Sequence, residues 1–201
     1  MKAIQTLFWD VGGVLLTNAW DHEERDRAVE RFQLQKADFE VRHKEVVTAF
    51  EKGKVTLDQY LDRTVFYQAR KFTKEEFKSV MFSLSRPKLD VLEFARSLAR
   101  KYLMATINNE SREMNDYRIK QFGLAQIFDL FVSSCYVGLR KPDERMYHLA
   151  LDLIQKMPEE CCFVDDRPVN IEGAAKVGLR TVLMRDLRQL KKDLQGLGME
   201  V

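Results

Sequence analysis

Apolar positions along the chain follow two different rhythms. After a first apolar run at residues 4–9, residues from about 20 to 85 repeat their apolar positions with a helical period. Val46, Val47, Phe50, Leu57, Tyr60, Leu61, Val65 and Phe66 would line one side of a small bundle. Thr56-Leu-Asp-Gln59 and Thr73-Lys-Glu-Glu76 predict capping boxes, in which hydroxyl and later side chain satisfy free backbone N–H groups reciprocally. Gly53 stands where a helix should stop. From residue 88 the rhythm changes to short apolar runs alternating with helix-period segments, which is the pattern of βαβ units. Residues 102–107, 130–134, 161–164 and 180–184 predict strands, and residues 113–122, 143–156 and 170–177 predict helices. With the first run, this makes a parallel sheet of about five strands. The expected fold is α/β: a Rossmann-like parallel sheet core, residues 1–16 and 86–201, with a small all-helical cap, residues 17–85, inserted after strand one.

Composition narrows the function classes. A chain of 201 residues, 45% hydrophobic and 32% charged, can bury one sizeable core with an insertion. Its 33 basic and 31 acidic residues leave a formal charge of +2, which argues against a nucleic-acid partner. Three cysteines, two of them adjacent, fit no disulfide framework and predict a reduced, cytoplasmic protein. The opening residues lack a signal-peptide pattern, and no apolar stretch approaches the roughly 18 residues of a membrane span.

In an open parallel sheet, ligands bind beyond the carboxyl ends of the strands. The residues expected there are polar: Asp10-Val-Gly-Gly13 after the first strand, Asn108-Asn109 after the second, Gly138-Leu-Arg-Lys141-Pro142 after the third, and Asp165-Asp166 after the fourth. Three acids around one lysine predict a site for a hard cation such as Mg²⁺ and a phosphate group, the lysine neutralising phosphoryl oxygens. Alone, an Asp before Gly-Gly is a common turn and Lys-Pro a common loop. The joint arrangement carries the signal.

Phe8-Trp-Asp10-Val-Gly-Gly-Val-Leu15, Asn108 after an apolar strand, Gly138-Leu-Arg-Lys141-Pro142-Asp143-Glu-Arg-Met-Tyr147 and Phe163-Val-Asp165-Asp166 with Asn170-Ile-Glu-Gly-Ala174 resemble the haloacid dehalogenase-like (HAD) hydrolase superfamily. Within it the chain looks most like the branch of epoxide-hydrolase phosphatase domains and glucose-1-phosphatase-like enzymes. The resemblance implies an Mg²⁺-dependent phosphatase acting on a small phosphorylated metabolite. Asp10 would be the nucleophile, forming an aspartyl-phosphate. Asp10, the Gly12 carbonyl, Asp165 and Asp166 would hold Mg²⁺, while Asn108, Asn109 and Lys141 would bind the phosphate, with Gly12 at the substrate.

Two positions depart from the family pattern. Most phosphatases of the superfamily carry a second aspartate, the general acid and base, where this chain has Gly12. Such a group is worth about 10²–10⁴ in rate, so the departure favours esters with acidic leaving groups. Ile107 occupies the place of a Ser or Thr hydroxyl, and Thr106 should face the other side of the strand. The rival readings are a catalytically degenerate binding protein of the same fold, a metal-independent dehalogenase, for which Asp165-Asp166 has no use, and a nucleotide-phosphate enzyme. Asn18, Trp20 and His22 are candidate substrate contacts, with Trp20 assigned to packing. His43, His148 and Cys135 are assigned to structural roles, and Lys191-Lys192 to the polar face of a C-terminal helix.

Overall fold

The structure, a computed structural model, describes residues 2–201. The chain opens with strand β1 (Thr6–Trp9), then runs through helices α1 (His22–Arg31), α2 (Lys36–Glu51), α3 (Leu57–Thr64), α4 (Lys74–Ser83) and α5 (Leu89–Leu98) before β2 (Leu103–Asn108). It continues through α6 (Arg112–Gln121), β3 (Leu130–Ser133), α7 (Ser134–Val137), α8 (Glu144–Ile154), β4 (Cys161–Asp165), α9 (Pro168–Lys176), β5 (Arg180–Leu183) and α10 (Leu187–Gly196). All strand pairs are parallel, in the order β3-β2-β1-β4-β5.

The apolar runs form strands because the sheet is covered on both faces, so inward and outward positions are alike apolar. Leu7, Trp9, Met104, Cys162 and Val164 pack with Leu92, Phe94 and Ala95 of α5 and Leu190 and Leu194 of α10 on one face. Phe8, Ala105, Ile107, Cys161 and Phe163 pack with Met146, Tyr147 and Ala150 of α8 and Ala174 of α9 on the other. The adjacent cysteines therefore point to opposite layers. All three cysteines are free and buried.

Strand order reverses direction beside β1: β2 and β3 lie on one side, β4 and β5 on the other. That switch point opens a crevice at the carboxyl ends of β1 and β4. β2 extends through Asn108 and β4 through Asp165, so each carries its polar residue as the last position of the ladder. Helix α9 starts at Pro168, earlier than the sequence pattern suggests, because proline's missing N–H costs nothing in a first turn. Helix α5 and the short α7 were not anticipated from the pattern.

Helices α1–α4 build a second core of Phe39, Phe50, Tyr60, Phe77 and Met81, joined by Met114 of α6. Both capping boxes form, at Thr56 with Gln59 and at Thr73 with Glu76. Gly53 has φ 67°, and a Cβ there would lie 2.0 Å from the Cys135 carbonyl oxygen. The residue that ends α2 is thus also where this helical unit touches the sheet domain. Beside it, Ser134 Oγ donates to the Glu51 carbonyl at 2.6 Å.

Candidate active site

Asp10 immediately follows β1, and its backbone N–H still bonds to Val164 O at 2.8 Å, so the neighbouring strand fixes where the side chain leaves the sheet. Lys141 Nζ lies 2.9 Å from Asp10 Oδ1 and 2.6 Å from Asp165 Oδ2, with only 2% of Lys141 exposed. Asp10 Oδ1 also accepts from Val11 N at 2.8 Å. Asp165 accepts from Asn170 Nδ2 at both oxygens, 3.0 Å each, and from Arg167 N at 2.8 Å. Its lone pairs are filled. Asp166 differs: Oδ1 is buried and has no partner among the described residues. Oxygens of Asp10, Asp165 and Asp166 lie within 4.8 Å of one another.

Lys141 pairs with Asp10 and Asp165, and Asp166, the third carboxylate of the cluster, has no ion pair with it. Burial raises the Asp10 carboxyl to about 7; Lys141 opposes the rise and Asp165 adds to it. Asp166 is likewise raised, by burial and then by Asp165. An unpartnered carboxylate oxygen beside two others, all hard oxygen donors, fits a divalent cation such as Mg²⁺. Gly13 makes room for this arrangement. Its φ is 77°, and a Cβ there would lie 2.0 Å from Asp166 Oδ2.

The cluster opens on a cavity of about 370 Å³. Asp10, Gly12, Asn109 and Lys141 line it, facing Asn18 and Trp20 from the segment before α1. Asp165 and Asp166 do not line the cavity. Asn109 clasps the Lys141 backbone, accepting from its N–H at 2.8 Å and donating to its carbonyl at 3.0 Å. Asn108 is not in the wall: its amide donates to Asn115 Oδ1 at 3.1 Å and accepts from Ser133 Oγ at 2.9 Å. The structure thus brings Asp10, Lys141, Asp165 and Asp166 together, with Gly12 and Asn109 beside them, and keeps Asn108 inside the β2–β3–α6 junction. His22 and His148 lie outside the wall.

Ile107 is fully buried in the cluster with Ala105, Val132 and Phe163, while Thr106 pairs in register with Trp9 towards the other face. A threonine at 107 therefore places its hydroxyl in an apolar layer. We expect Ile107→Thr to lower stability by about 1–3 kcal/mol, measured by urea denaturation. A midpoint at or above that of the unaltered protein would mean the hydroxyl has found a partner.

Several charged residues of the wall escaped the sequence reading. Arg118 of α6 is paired with Glu110 at 3.0 Å, Arg167 with Asp21 at 2.6 Å, and Arg140 with Glu51. The last two pairs join the helical unit to the sheet domain across the cavity. Arg140 was visible inside Gly138-Leu-Arg-Lys141, whereas Arg118 and Glu110 had no local signal. His43, assigned to a structural role, also lines the cavity. Trp20 Nε1 donates to Tyr60 Oη at 2.8 Å, and Tyr60 Oη lies 2.7 Å from His43 Nδ1. Since indole N–H can only donate, the tyrosine hydrogen is free for Nδ1, which leaves the Nε2–H as the imidazole's other polar group. Burial lowers His43 to about 4, so it stays neutral near pH 7.

These features define an α/β protein whose chemistry is carried by carboxylates and a lysine at the switch point of a parallel sheet. The haloacid dehalogenase-like hydrolase model matches residues 4–178, and the chain belongs to that family. It is 30% identical to bifunctional epoxide hydrolase 2 of Rattus norvegicus over 94% of this chain and 39% of the rat protein. It is 29% identical to the chloroplast flavin mononucleotide hydrolase 1 of Arabidopsis thaliana, over 81% of this chain and 66% of that one. The chain thus spans less than two thirds of these relatives' lengths. An HAD-family enzyme of Bacteroides thetaiotaomicron, solved with magnesium and inorganic phosphate, superposes with a TM-score of 0.76 at 21% identity, covering 94% of this chain and 99% of that one. Among the described residues no helix is long and apolar enough to cross a membrane.

Proposed function

We propose that this hydrolase is a phosphatase of small phosphate esters, with Asp10 as nucleophile. One observation carries the reading: Lys141 bridges Asp10 and Asp165 at the wall of a cavity of about 370 Å³, and Asp166, which keeps an unpartnered oxygen, belongs to the same carboxylate cluster. Lys141 and Val11 N both bind Asp10 Oδ1, which leaves Oδ2 without a partner among the described residues and free to attack phosphorus. The Lys141 ammonium sits where it also meets a phosphoryl oxygen, and Asn109 holds the Lys141 backbone in place. Asn108 then acts at one remove, by fixing β2 to β3 and α6.

Asp10, Asp166 and the Gly12 carbonyl would hold Mg²⁺, with Asp165 supporting them through Lys141 and Asn170. When bound, the ion supplies charge neutralisation for the phosphoryl group. The relative crystallised with magnesium and phosphate supports this assignment. Gly13→Ala pushes Asp166 aside, and we expect it to weaken Mg²⁺ binding by about 10- to 100-fold in calorimetry, the usual cost of disturbing a ligand's support. Unchanged affinity would remove Asp166 from the ligand set.

Residues 17–85 form a cap over the core of residues 1–16 and 86–201 in this reading. The pairs Asp21–Arg167 and Glu51–Arg140 hold the cap against the cavity, and its walls limit the substrate to a small phosphorylated metabolite. Three free, buried thiols support a reducing compartment such as the cytoplasm.

The test is phosphate release from anomeric sugar phosphates, acyl phosphates and p-nitrophenyl phosphate, with Mg²⁺ and with EDTA. Release that requires Mg²⁺ is expected. Halide release from 2-haloacids without metal would move the chain to dehalogenase chemistry, and phosphate binding with no release from any ester would make it a binding protein.

A further inference from the structure

We propose that Arg118 takes up the negative charge of the departing oxygen, in place of the acid that position 12 lacks, and that the substrates are esters whose leaving oxygen is acidic. This role rests on the phosphatase reading above. A Cβ built on Gly12 would meet Asn18 Oδ1 at 3.3 Å and Arg118 Nη1 at 3.5 Å. The space into which a side chain at position 12 would project is therefore shared by the Asn18 amide and the Arg118 guanidinium, and of the two only the guanidinium carries charge. Arg118 is 3% exposed, and it lines the same cavity as Asp10 and Gly12. Glu110 Oε2 accepts from Nη1 at 3.0 Å and the Thr17 carbonyl accepts from Nη2, which fixes the plane of the group. Buried Nε has no partner among the described residues, and each terminal nitrogen keeps a second hydrogen.

An arginine so placed replaces only half of what an aspartic acid does. It stabilises developing negative charge, yet it holds its own protons at any pH the protein survives. In the first step Asp10 Oδ2 bonds to phosphorus and the bond from phosphorus to the leaving oxygen breaks. The electron pair stays on that oxygen, which departs as an anion beside Arg118 and takes its proton from water. In the second step water attacks phosphorus, the Asp10–phosphorus bond breaks to restore the carboxylate, and the water's proton leaves to solvent. A group that leaves as an anion without a proton donor must be more acidic than a simple alkanol. Anomeric hydroxyls, phenols, enols and carboxylic acids qualify, and simple alkanols do not.

The test is the dependence of kcat/KM, which reports the step in which the leaving group departs, on leaving-group acidity over a series of acyl, aryl, anomeric and alkyl phosphates. Glu110→Gln/Arg118→Gln removes both charges, so no buried ion is left unpaired. We expect its loss to grow as the leaving group becomes less acidic, reaching about 100-fold at the basic end, the scale of one lost charge-stabilising donor. Arg118→Lys, which keeps the charge, should give an intermediate slope. A loss of equal size across the series, with an unchanged slope, would overturn the role and leave Arg118 as a residue of the fold. Equal slopes for Arg118→Lys and the double variant would overturn it too. If the unaltered protein released phosphate from no member, the phosphatase reading itself would fail and take this role with it.

Discussion

Asp10→Asn is expected to abolish phosphate release, by about 10⁴-fold or more, while leaving the protein at least as stable as before. The two halves of this expectation come from the same geometry. An amide is isosteric with the carboxylate, still receives the Val11 N–H through its oxygen, and still lines the cavity, so the fold is untouched. It cannot bond to phosphorus as a carboxylate does, and no nearby group replaces it. Asp165 is saturated by Lys141, Asn170 and Arg167 N, and Asp166 does not line the cavity. Stability should hold or rise because Asp10 is costly to the metal-free protein: its folded carboxyl titrates at about 7, well above its range in an unfolded chain. A group shifted that way contributes stability below the unfolded value and loses it as the pH rises through the folded value. The metal-free protein should therefore lose stability between about pH 4 and 7, and Asp10→Asn should flatten that part of the profile. Thermal melts in EDTA across this window, beside phosphate release with Mg²⁺, measure both. Residual release within tenfold of the unaltered rate would remove Asp10 as nucleophile.

The order of strands and the residues at their tips were legible because each strand is covered on both faces. That condition writes itself into the sequence as short apolar runs, and the polar residues ending the runs then stand out. Asp10, Lys141, Asp165 and Asp166 were found this way. Asn108 and Asn109 carry no such mark. Nothing in two adjacent, identical residues says which one is the last rung of the ladder. The β2–β3 pairing runs on to Asn108 with Ser133, which turns Asn108 into the junction and passes the cavity to Asn109. Arg118 was illegible for a different reason. Its partners are Thr17, Glu110 and the empty side of Gly12, residues that only the tertiary fold brings to one helix. The same holds for Gly13, whose glycine looks like turn chemistry until the Asp166 carboxylate is found against it. His43 sits on the buried side of a largely charged helix with no sequence partner, and its tautomer depends on a tyrosine and a tryptophan from two other segments.

Lys141→Met should be the most damaging single change to stability. Lys141 is the only ammonium between Asp10 and Asp165 among the described residues, and it is 2% exposed. Methionine fills the stem of the lysine and removes the charge, leaving two buried carboxylates facing each other beside Asp166. Removing one partner of a buried ion pair costs about 3–5 kcal/mol. In a domain of this size each kcal/mol lowers the melting temperature by about 2–4 °C. The loss has two separable causes, repulsion among the acids and loss of the lysine's bond to phosphate, and a second substitution distinguishes them. Asp165→Asn placed on Lys141→Met keeps the contacts with Asn170 and Arg167 N at its oxygen while removing one of the facing charges. It should restore a good part of the stability and none of the phosphate release. Urea denaturation in EDTA reports the first effect, and kcat with Mg²⁺ the second. A destabilisation under about 1 kcal/mol, the range of exposed pairs, would mean that water screens the cluster. Recovery of activity in the double variant would mean that Lys141 serves only to neutralise Asp165, and that the phosphate is held from elsewhere in the cavity.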